Sequence, residues 1–146
     1  MNKWILGARP RTLPAAIAPV FVATALVGSD WNWFRAALAL KVGVWLQIGV
    51  NYANDYSDGV KGSDDNRIGP TRLVASGLAT AAQVKRAAFI SFGIASIAGI
   101  WLSLLSSPWL MVVGVQPSLQ HGVTPAEKIR MAIAVWAKFQ YLSFLV

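Results

Sequence analysis

The sequence predicts an all-α protein, a polytopic bundle of transmembrane helices. Of its 146 residues, 55% are hydrophobic and only 13% are charged, and the mean hydropathy is +0.51. Soluble domains carry about 25% charged residues, so this composition is typical of a membrane protein. Residues 12–29 contain no charge at all, and a helix needs roughly 20 apolar residues to cross the core of a bilayer.

The composition also limits the kinds of site that the chain can contain. There are no cysteines and one histidine, His121, so disulfides and thiolate-bound zinc are excluded and any metal must be held by oxygen ligands. The net charge is +7, but Lys and Arg stand at the ends of apolar runs and form no continuous basic face. We therefore expect a bilayer and a phosphorylated substrate as partners, and no nucleic acid.

Four segments are predicted to span the membrane, over residues 12–29, 34–54, 82–105 and 108–115 onward. Within the first span, Pro19 predicts a kink. Before the third, Thr80 is a suitable N-cap for a helix. The polar, glycine-rich residues 56–78 between the second and third spans predict a loop.

The character of the chain changes abruptly towards its end. Residues 1–115 are predicted to form the N-terminal part of one membrane domain, whereas 116–146 form an atypical tail that opens with polar residues. Thr124 and Pro125 are typical of a helix start, which predicts a terminal helix over 126–146. The pattern leaves open whether this helix spans the membrane or lies on it.

The distribution of Lys and Arg predicts the orientation in the membrane. Basic residues cluster before the first span and again between the second and third spans, whereas the turn after the first span contains only Arg35. Cytoplasmic segments of membrane proteins carry an excess of Lys and Arg. We therefore expect a multi-pass protein of the cell membrane whose N-terminus and 56–78 loop are cytoplasmic.

The candidate site follows the apolar run of the second span. Residues 51–65 contain four of the six acidic residues of the chain. If the helix continues here, Asn51, Asp55 and Asp58 stand at i, i+4 and i+7 and share one face. Two carboxylates and an amide oxygen on one face suit a hard cation, Mg²⁺ or Ca²⁺. Asp64, which follows a few residues later, fits a solvated loop as well as a site.

Basic residues of the following loop complement this acidic face. Lys61, Arg67 and Arg72 are suited to grip the oxygens of a diphosphate that Mg²⁺ bridges to Asp55 and Asp58. Such a head group on a long apolar tail suggests a polyprenyl diphosphate, with the bilayer accommodating the tail.

The same residues carry a family resemblance. The run Asn51-x-x-Asn54-Asp55-Tyr56-x-Asp58-x-x-Lys61-Gly62-Ser63-Asp64, continued by Arg67-Ile68-Gly69-Pro70-x-Arg72, resembles the first aspartate-rich motif of the UbiA-type intramembrane aromatic prenyltransferases. Within them it is most similar to the menaquinone branch, the 1,4-dihydroxy-2-naphthoate polyprenyltransferases. The run Arg9-Pro10-Arg11-Thr12-Leu13 is similar to the entry of the family's first helix.

The resemblance implies a bundle of eight or nine helices and a Mg²⁺-dependent reaction. A polyprenyl group passes from its diphosphate to 1,4-dihydroxy-2-naphthoate with loss of CO₂, giving demethylmenaquinone. Transferred by position, Asp55 and Asp58 are the catalytic residues. The implied metal ligands are Asn51, Asp55, Asp58 and Asp64, and the implied diphosphate contacts are Lys61, Arg67 and Arg72.

The chain also departs from the family. Glu127 is the only acidic residue after Asp65, so the family's second aspartate motif and about half of its helices have no counterpart here. We expect the chain to be truncated relative to the family and incomplete as a catalyst. Two alternatives stay open: a prenyltransferase for another ring such as 4-hydroxybenzoate, and a non-enzymatic helical bundle that conducts ions or assists another protein.

Overall fold

The computed structural model describes residues 2–61 and 72–106, without the side chains of Asp30 and Lys61, and all the regular structure in these ranges is helical. The predicted all-α class is confirmed. The spans predicted from residue 108 onward, the tail 116–146 and its helix 126–146 lie outside the described residues. The described residues form four α-helices, α1 (Lys3–Ala8), α2 (Pro14–Val27), α3 (Trp33–Lys61) and α4 (Ala81–Ser106).

The N-terminal part consists of two helices that meet at a sharp bend. Arg9 ends α1 in the left-handed region at φ 52°, which is uncommon for a residue other than glycine, and its N–H donates to the Leu6 carbonyl. A short 3-10 helix, Pro10–Thr12, follows, and α2 then leaves at 48° to the preceding segment. The sequence placed a kink at Pro19, but the break precedes Pro14 and Pro19 lies inside a continuous helix.

Helix α3 begins at the predicted position and ends later than predicted. The Asn32 side chain caps its start by accepting from the backbone N–H groups of Phe34 and Arg35. The helix then continues to Lys61, although the sequence predicted a loop from residue 56. Gly59 lies inside it, where a larger residue would not fit because a Cβ at this position would meet the Val74 side chain at 2.5 Å. The acidic residues at 55 and 58 are therefore helical.

Helix α4 packs along α3 and starts as predicted. Thr80 accepts from the Gln83 N–H at 3.3 Å while the Gln83 side chain accepts from the Thr80 N–H at 3.2 Å, a reciprocal capping box. The ring of Phe92 occupies the space in front of Gly49 of α3, where a Cβ would lie 2.6 Å from it. Small residues recur every three or four positions on the buried face of α4, namely Ala88, Ser91, Ala95 and Ala98.

The described helices are long and apolar enough to cross a membrane two or three times. Residues Trp33–Val60 and Ala81–Ser106 each qualify by length and hydropathy. The bent pair Lys3–Thr12 and Pro14–Val27 qualifies if it is one broken span. The acidic residues of α3 thus lie at the end of a membrane helix, next to the segment 72–79 that leads into α4.

Candidate functional site

The carboxylate of Asp55 points into the protein and binds backbone. Its Oδ2 accepts from the Leu73 N–H at 2.8 Å and its Oδ1 from the Val74 N–H at 3.3 Å. The residue is 1% exposed. A buried carboxylate needs hydrogen-bond donors on its oxygens, and here the backbone of the segment after the acidic motif supplies them.

Asp58, one turn later, pairs with an arginine of the same segment. The guanidinium Nη1 of Arg72 donates to Asp58 Oδ2 and, at 3.4 Å, to the backbone carbonyl of Asn54. The Arg72 side chain is 8% exposed, whereas that of Asp58 is 31% exposed. Within the pair, the guanidinium is therefore buried and the carboxylate is partly exposed at the surface of the described helices.

Asn51, predicted as a third member of the acidic face, joins α3 to the N-terminal helices. Its Nδ2 donates to the Ala8 carbonyl at 2.8 Å and to Thr12 Oγ1 at 2.9 Å. Its Oδ1 accepts from the Gln47 side chain at 3.4 Å. Both ends of this buried amide are thus bound to other groups of the protein.

The segment 72–79 is held from several sides. Leu73 is fully buried, and a Cβ added to Gly7 of α1 would lie 2.6 Å from its Cδ1. The Lys3 ammonium donates to the Leu78 carbonyl at 3.2 Å. Helix α1 is itself tied to α3, because the Tyr52 hydroxyl donates to the Trp4 carbonyl at 2.7 Å. The end of α3, helix α1 and the 72–79 segment therefore form one packed unit.

The other predicted site residues cannot be placed. Asp64 and Arg67 lie outside the described residues, and the side chain of Lys61 is not described. Within 2–61 and 72–106, no three His, Cys, Asp or Glu side chains come together as a group able to hold a metal ion. Of the predicted set, the structure brings Asp58 and Arg72 into direct contact and places Asp55 one turn away.

Two contributions to the site were missed by the sequence reasoning. The backbone N–H groups of Leu73 and Val74 carry no residue-type signature, so no pattern identifies them as partners of Asp55. The Asn54 carbonyl is also unmarked, but the position of Asn54 four residues before Asp58 places both on one side of the helix. Every helix places a carbonyl four residues before such a side chain, so this spacing gave no specific signal for the Arg72 contact.

Comparison with known proteins gives several relatives. The 1,4-dihydroxy-2-naphthoate octaprenyltransferase of Mycobacterium tuberculosis is 55% identical over 116 residues, covering 77% of this chain. The protein of the same name from Escherichia coli is 42% identical over 102 residues, covering 68% of the chain. The chain belongs to the 1,4-dihydroxy-2-naphthoate octaprenyltransferase family and matches part of its members' length.

The matches also define how much of the family the chain represents. It spans 39% of the length of the Mycobacterium tuberculosis relative and 33% of the Escherichia coli one. A relative of the same name from Bacillus subtilis is 31% identical over 153 residues and matches 94% of this chain. Residues 1–115 alone make up less of the chain than that. That match therefore extends into the segment 116–146. No family model matches the chain, and no solved structure matches it either.

Proposed function

We propose that the protein takes part in Mg²⁺-dependent transfer of a polyprenyl group from its diphosphate to 1,4-dihydroxy-2-naphthoate, with loss of CO₂ and release of diphosphate, to give the prenylated hydroquinone that is the reduced form of demethylmenaquinone. The observation that carries the proposal is the Asp58–Arg72 pair at the end of a membrane-length helix, in a chain whose relatives are named 1,4-dihydroxy-2-naphthoate octaprenyltransferase. A carboxylate beside a guanidinium suits a diphosphate head, and the apolar helices suit the tail. The site is proposed to face the cytoplasm at the cell membrane.

Asp58 is the described residue that best fits a magnesium ligand. Its carboxylate is partly exposed and supplies the hard oxygen that Mg²⁺ prefers, whereas no complete ligand set is found among the described residues. Asn51 and Asp64 stay predictions as further ligands, whereas both oxygens of the predicted ligand Asp55 are bound to backbone amides. The chemistry that Mg²⁺ supplies when bound is stabilisation of negative charge on the leaving diphosphate.

Arg72 is proposed to orient the diphosphate. Its guanidinium is planar, and it can exchange the Asp58 oxygen for phosphate oxygens without leaving its place beside α3. Charge on the leaving oxygen is then met by a donor that is already in position, the arrangement that lowers a barrier most effectively. Lys61 and Arg67 are proposed as further contacts to the same head group.

The test measures binding and turnover separately. Detergent-solubilised chain is titrated with a polyprenyl diphosphate with and without Mg²⁺, and membranes containing the chain are supplied with 1,4-dihydroxy-2-naphthoate labelled in its carboxyl group. We expect Mg²⁺-dependent binding that Asp58→Asn weakens at least about tenfold. Turnover, followed as labelled CO₂, is measured in parallel with the full-length Mycobacterium tuberculosis relative, because the chain spans about two fifths of its length.

The matched control is Ser57→Ala, a change on the same helix for which no side-chain hydrogen bond is found among the described residues. It is expected to leave binding unchanged. Binding that is independent of both Mg²⁺ and Asp58 contradicts the proposal. Prenylation of 4-hydroxybenzoate in preference to the naphthoate contradicts the proposed acceptor and leaves the diphosphate site standing.

A further inference from the structure

We propose that Asp55 is a positioning residue that holds the segment 72–79 in place, and so holds Arg72 over Asp58, instead of binding metal itself. This assigns Asp55 a different role from the catalytic and metal-ligating one that the sequence predicts. The part that concerns diphosphate binding rests on the proposed function, whereas the structural part does not.

The geometry of the carboxylate is the first reason. Each oxygen of Asp55 accepts from a different backbone N–H, and the two donors, Leu73 and Val74, are neighbours in the chain. A carboxylate that binds two successive amides fixes both the position and the direction of that backbone. The contact spans 18 residues of sequence, so it joins the end of α3 to the segment that leads into α4.

The surroundings of Asp55 are the second reason. The residue is 1% exposed, and Leu73 above it is fully buried against Gly7 of α1. Each oxygen keeps a second lone pair, but a metal ion could reach it only if the packing around Asp55 opened, which would move Leu73 and disturb the two amide hydrogen bonds. Displaced buried N–H groups would lose their acceptor, which is costly in the interior of a protein. The Asp58 side chain, by contrast, is 31% exposed, and the donor that it binds, Arg72, is a side chain and not a buried backbone amide.

The consequence for the site follows from the order of the residues. Arg72 directly precedes Leu73, so the hydrogen bonds from the Leu73 and Val74 amides to Asp55 determine where the Arg72 side chain starts. From that position its guanidinium reaches Asp58 and the Asn54 carbonyl, both within one turn of Asp55 on α3. Asp55 therefore positions Arg72, and Asp58 binds its guanidinium.

Two measurements separate the anchoring role from a metal-ligating one. Amide hydrogen exchange at Leu73 and Val74 reports the anchor, and Mn²⁺ binding followed by electron paramagnetic resonance reports the metal site. For Asp55→Asn, which retains one acceptor oxygen, and Asp55→Ala, which retains none, we expect exchange at both amides to rise in that order, by about tenfold or more for Ala. The Mn²⁺ affinity of Asp55→Asn is expected to change less than about threefold.

Asp58→Asn is the matched comparison on the same helix. It is expected to weaken Mn²⁺ binding at least about tenfold while exchange at Leu73 and Val74 stays within about threefold of the original protein. Binding of inorganic pyrophosphate is expected to weaken in Asp55→Ala to the level of Arg72→Ala. The positioning role is wrong if Asp55→Asn weakens Mn²⁺ binding as strongly as Asp58→Asn and leaves both amides protected.

The unsubstituted protein supplies a test that does not depend on the variants folding. If Asp55 anchors the backbone, Leu73 and Val74 remain protected when saturating Mg²⁺ is added. If Asp55 is a metal ligand, Mg²⁺ releases these amides and their exchange accelerates, which overturns the proposal. A protein that binds neither Mn²⁺ nor pyrophosphate contradicts the proposed function, and the exchange measurements on the variants still decide the role of Asp55.

Discussion

Individual glycines determine how closely α1 approaches the site. Gly7 faces Leu73 and Tyr52, and both of these neighbours are buried. The Tyr52 hydroxyl also donates a hydrogen bond to the Trp4 carbonyl, so Tyr52 cannot move aside without losing that hydrogen bond. A side chain larger than hydrogen at position 7 would therefore separate α1 from the segment that carries Arg72.

We predict opposite effects for two glycine-to-alanine substitutions. In Gly7→Ala the new Cβ would lie 2.6 Å from Leu73 Cδ1 and 2.9 Å from Tyr52 Cε1. This overpacking is expected to lower the free energy of unfolding in detergent by about 1–3 kcal/mol. In Gly93→Ala of α4 no atom of the described residues lies within 4 Å of the new Cβ, and the gain in helix propensity is about 0.5–1 kcal/mol.

Thermal unfolding of the two variants, followed by circular dichroism, checks this prediction. Gly93→Ala serves as the control for the chemical change itself, since both substitutions add one methyl group to a helix. Equal midpoints for the two variants would contradict the packing of α1 against the 72–79 segment.

Among the helices, α3 and α4 show how far local sequence signals extend. The start of α4 follows from Thr80 and Gln83, because a capping box depends only on residues three apart. The end of α3 does not, because Gly59 and the polar residues around it favour a loop by their composition. In the structure the helix continues there, with Asp55 accepting from the backbone of the 72–79 segment and Gly59 leaving room for the Val74 side chain.

The cap of α4 provides a prediction for this helix. Thr80→Ala removes the side-chain acceptor for the Gln83 N–H, and such a loss costs about 1 kcal/mol. We expect faster amide exchange in the first turn of α4 and little change in its centre. Ser96→Ala, on the exposed side of the same helix, is the control and is expected to leave the first turn unaffected. Unchanged exchange at Gln83 in Thr80→Ala would show that the cap contributes nothing.

For the molecule as a whole, the central question is on which side of the membrane the site lies. The candidate spans Trp33–Val60 and Ala81–Ser106 are joined by the segment that carries Arg72, so both ends of this connection lie on one side. The turn around Gly28–Asp30 lies at the opposite end of α3. The distribution of basic residues predicts that the connection is the cytoplasmic one.

The absence of cysteine makes this orientation directly measurable. Single cysteines are introduced as Ala75→Cys in the connection and as Ser29→Cys in the opposite turn, both at exposed positions. In intact cells, a membrane-impermeant maleimide is expected to label Ser29→Cys and to label Ala75→Cys only after the membrane is opened. The unsubstituted protein is the unlabelled control. The reverse pattern would place the candidate site outside the cytoplasm.

Local properties of the chain were sufficient for the membrane class and the start of α4, and they offered a shared helical face for the acidic residues only on the condition that the helix continued. Hydropathy, helical spacing and capping depend on neighbouring residues, so they are readable without a fold. The contacts of Asp55 and Arg72 were not readable in this way. Asp55 binds amides 18 and 19 positions later, and Arg72 reaches Asp58 across 14 positions. Only the packing of α1, α3 and the 72–79 segment brings these groups together, and it separates the two carboxylates into a buried one and a partly exposed one.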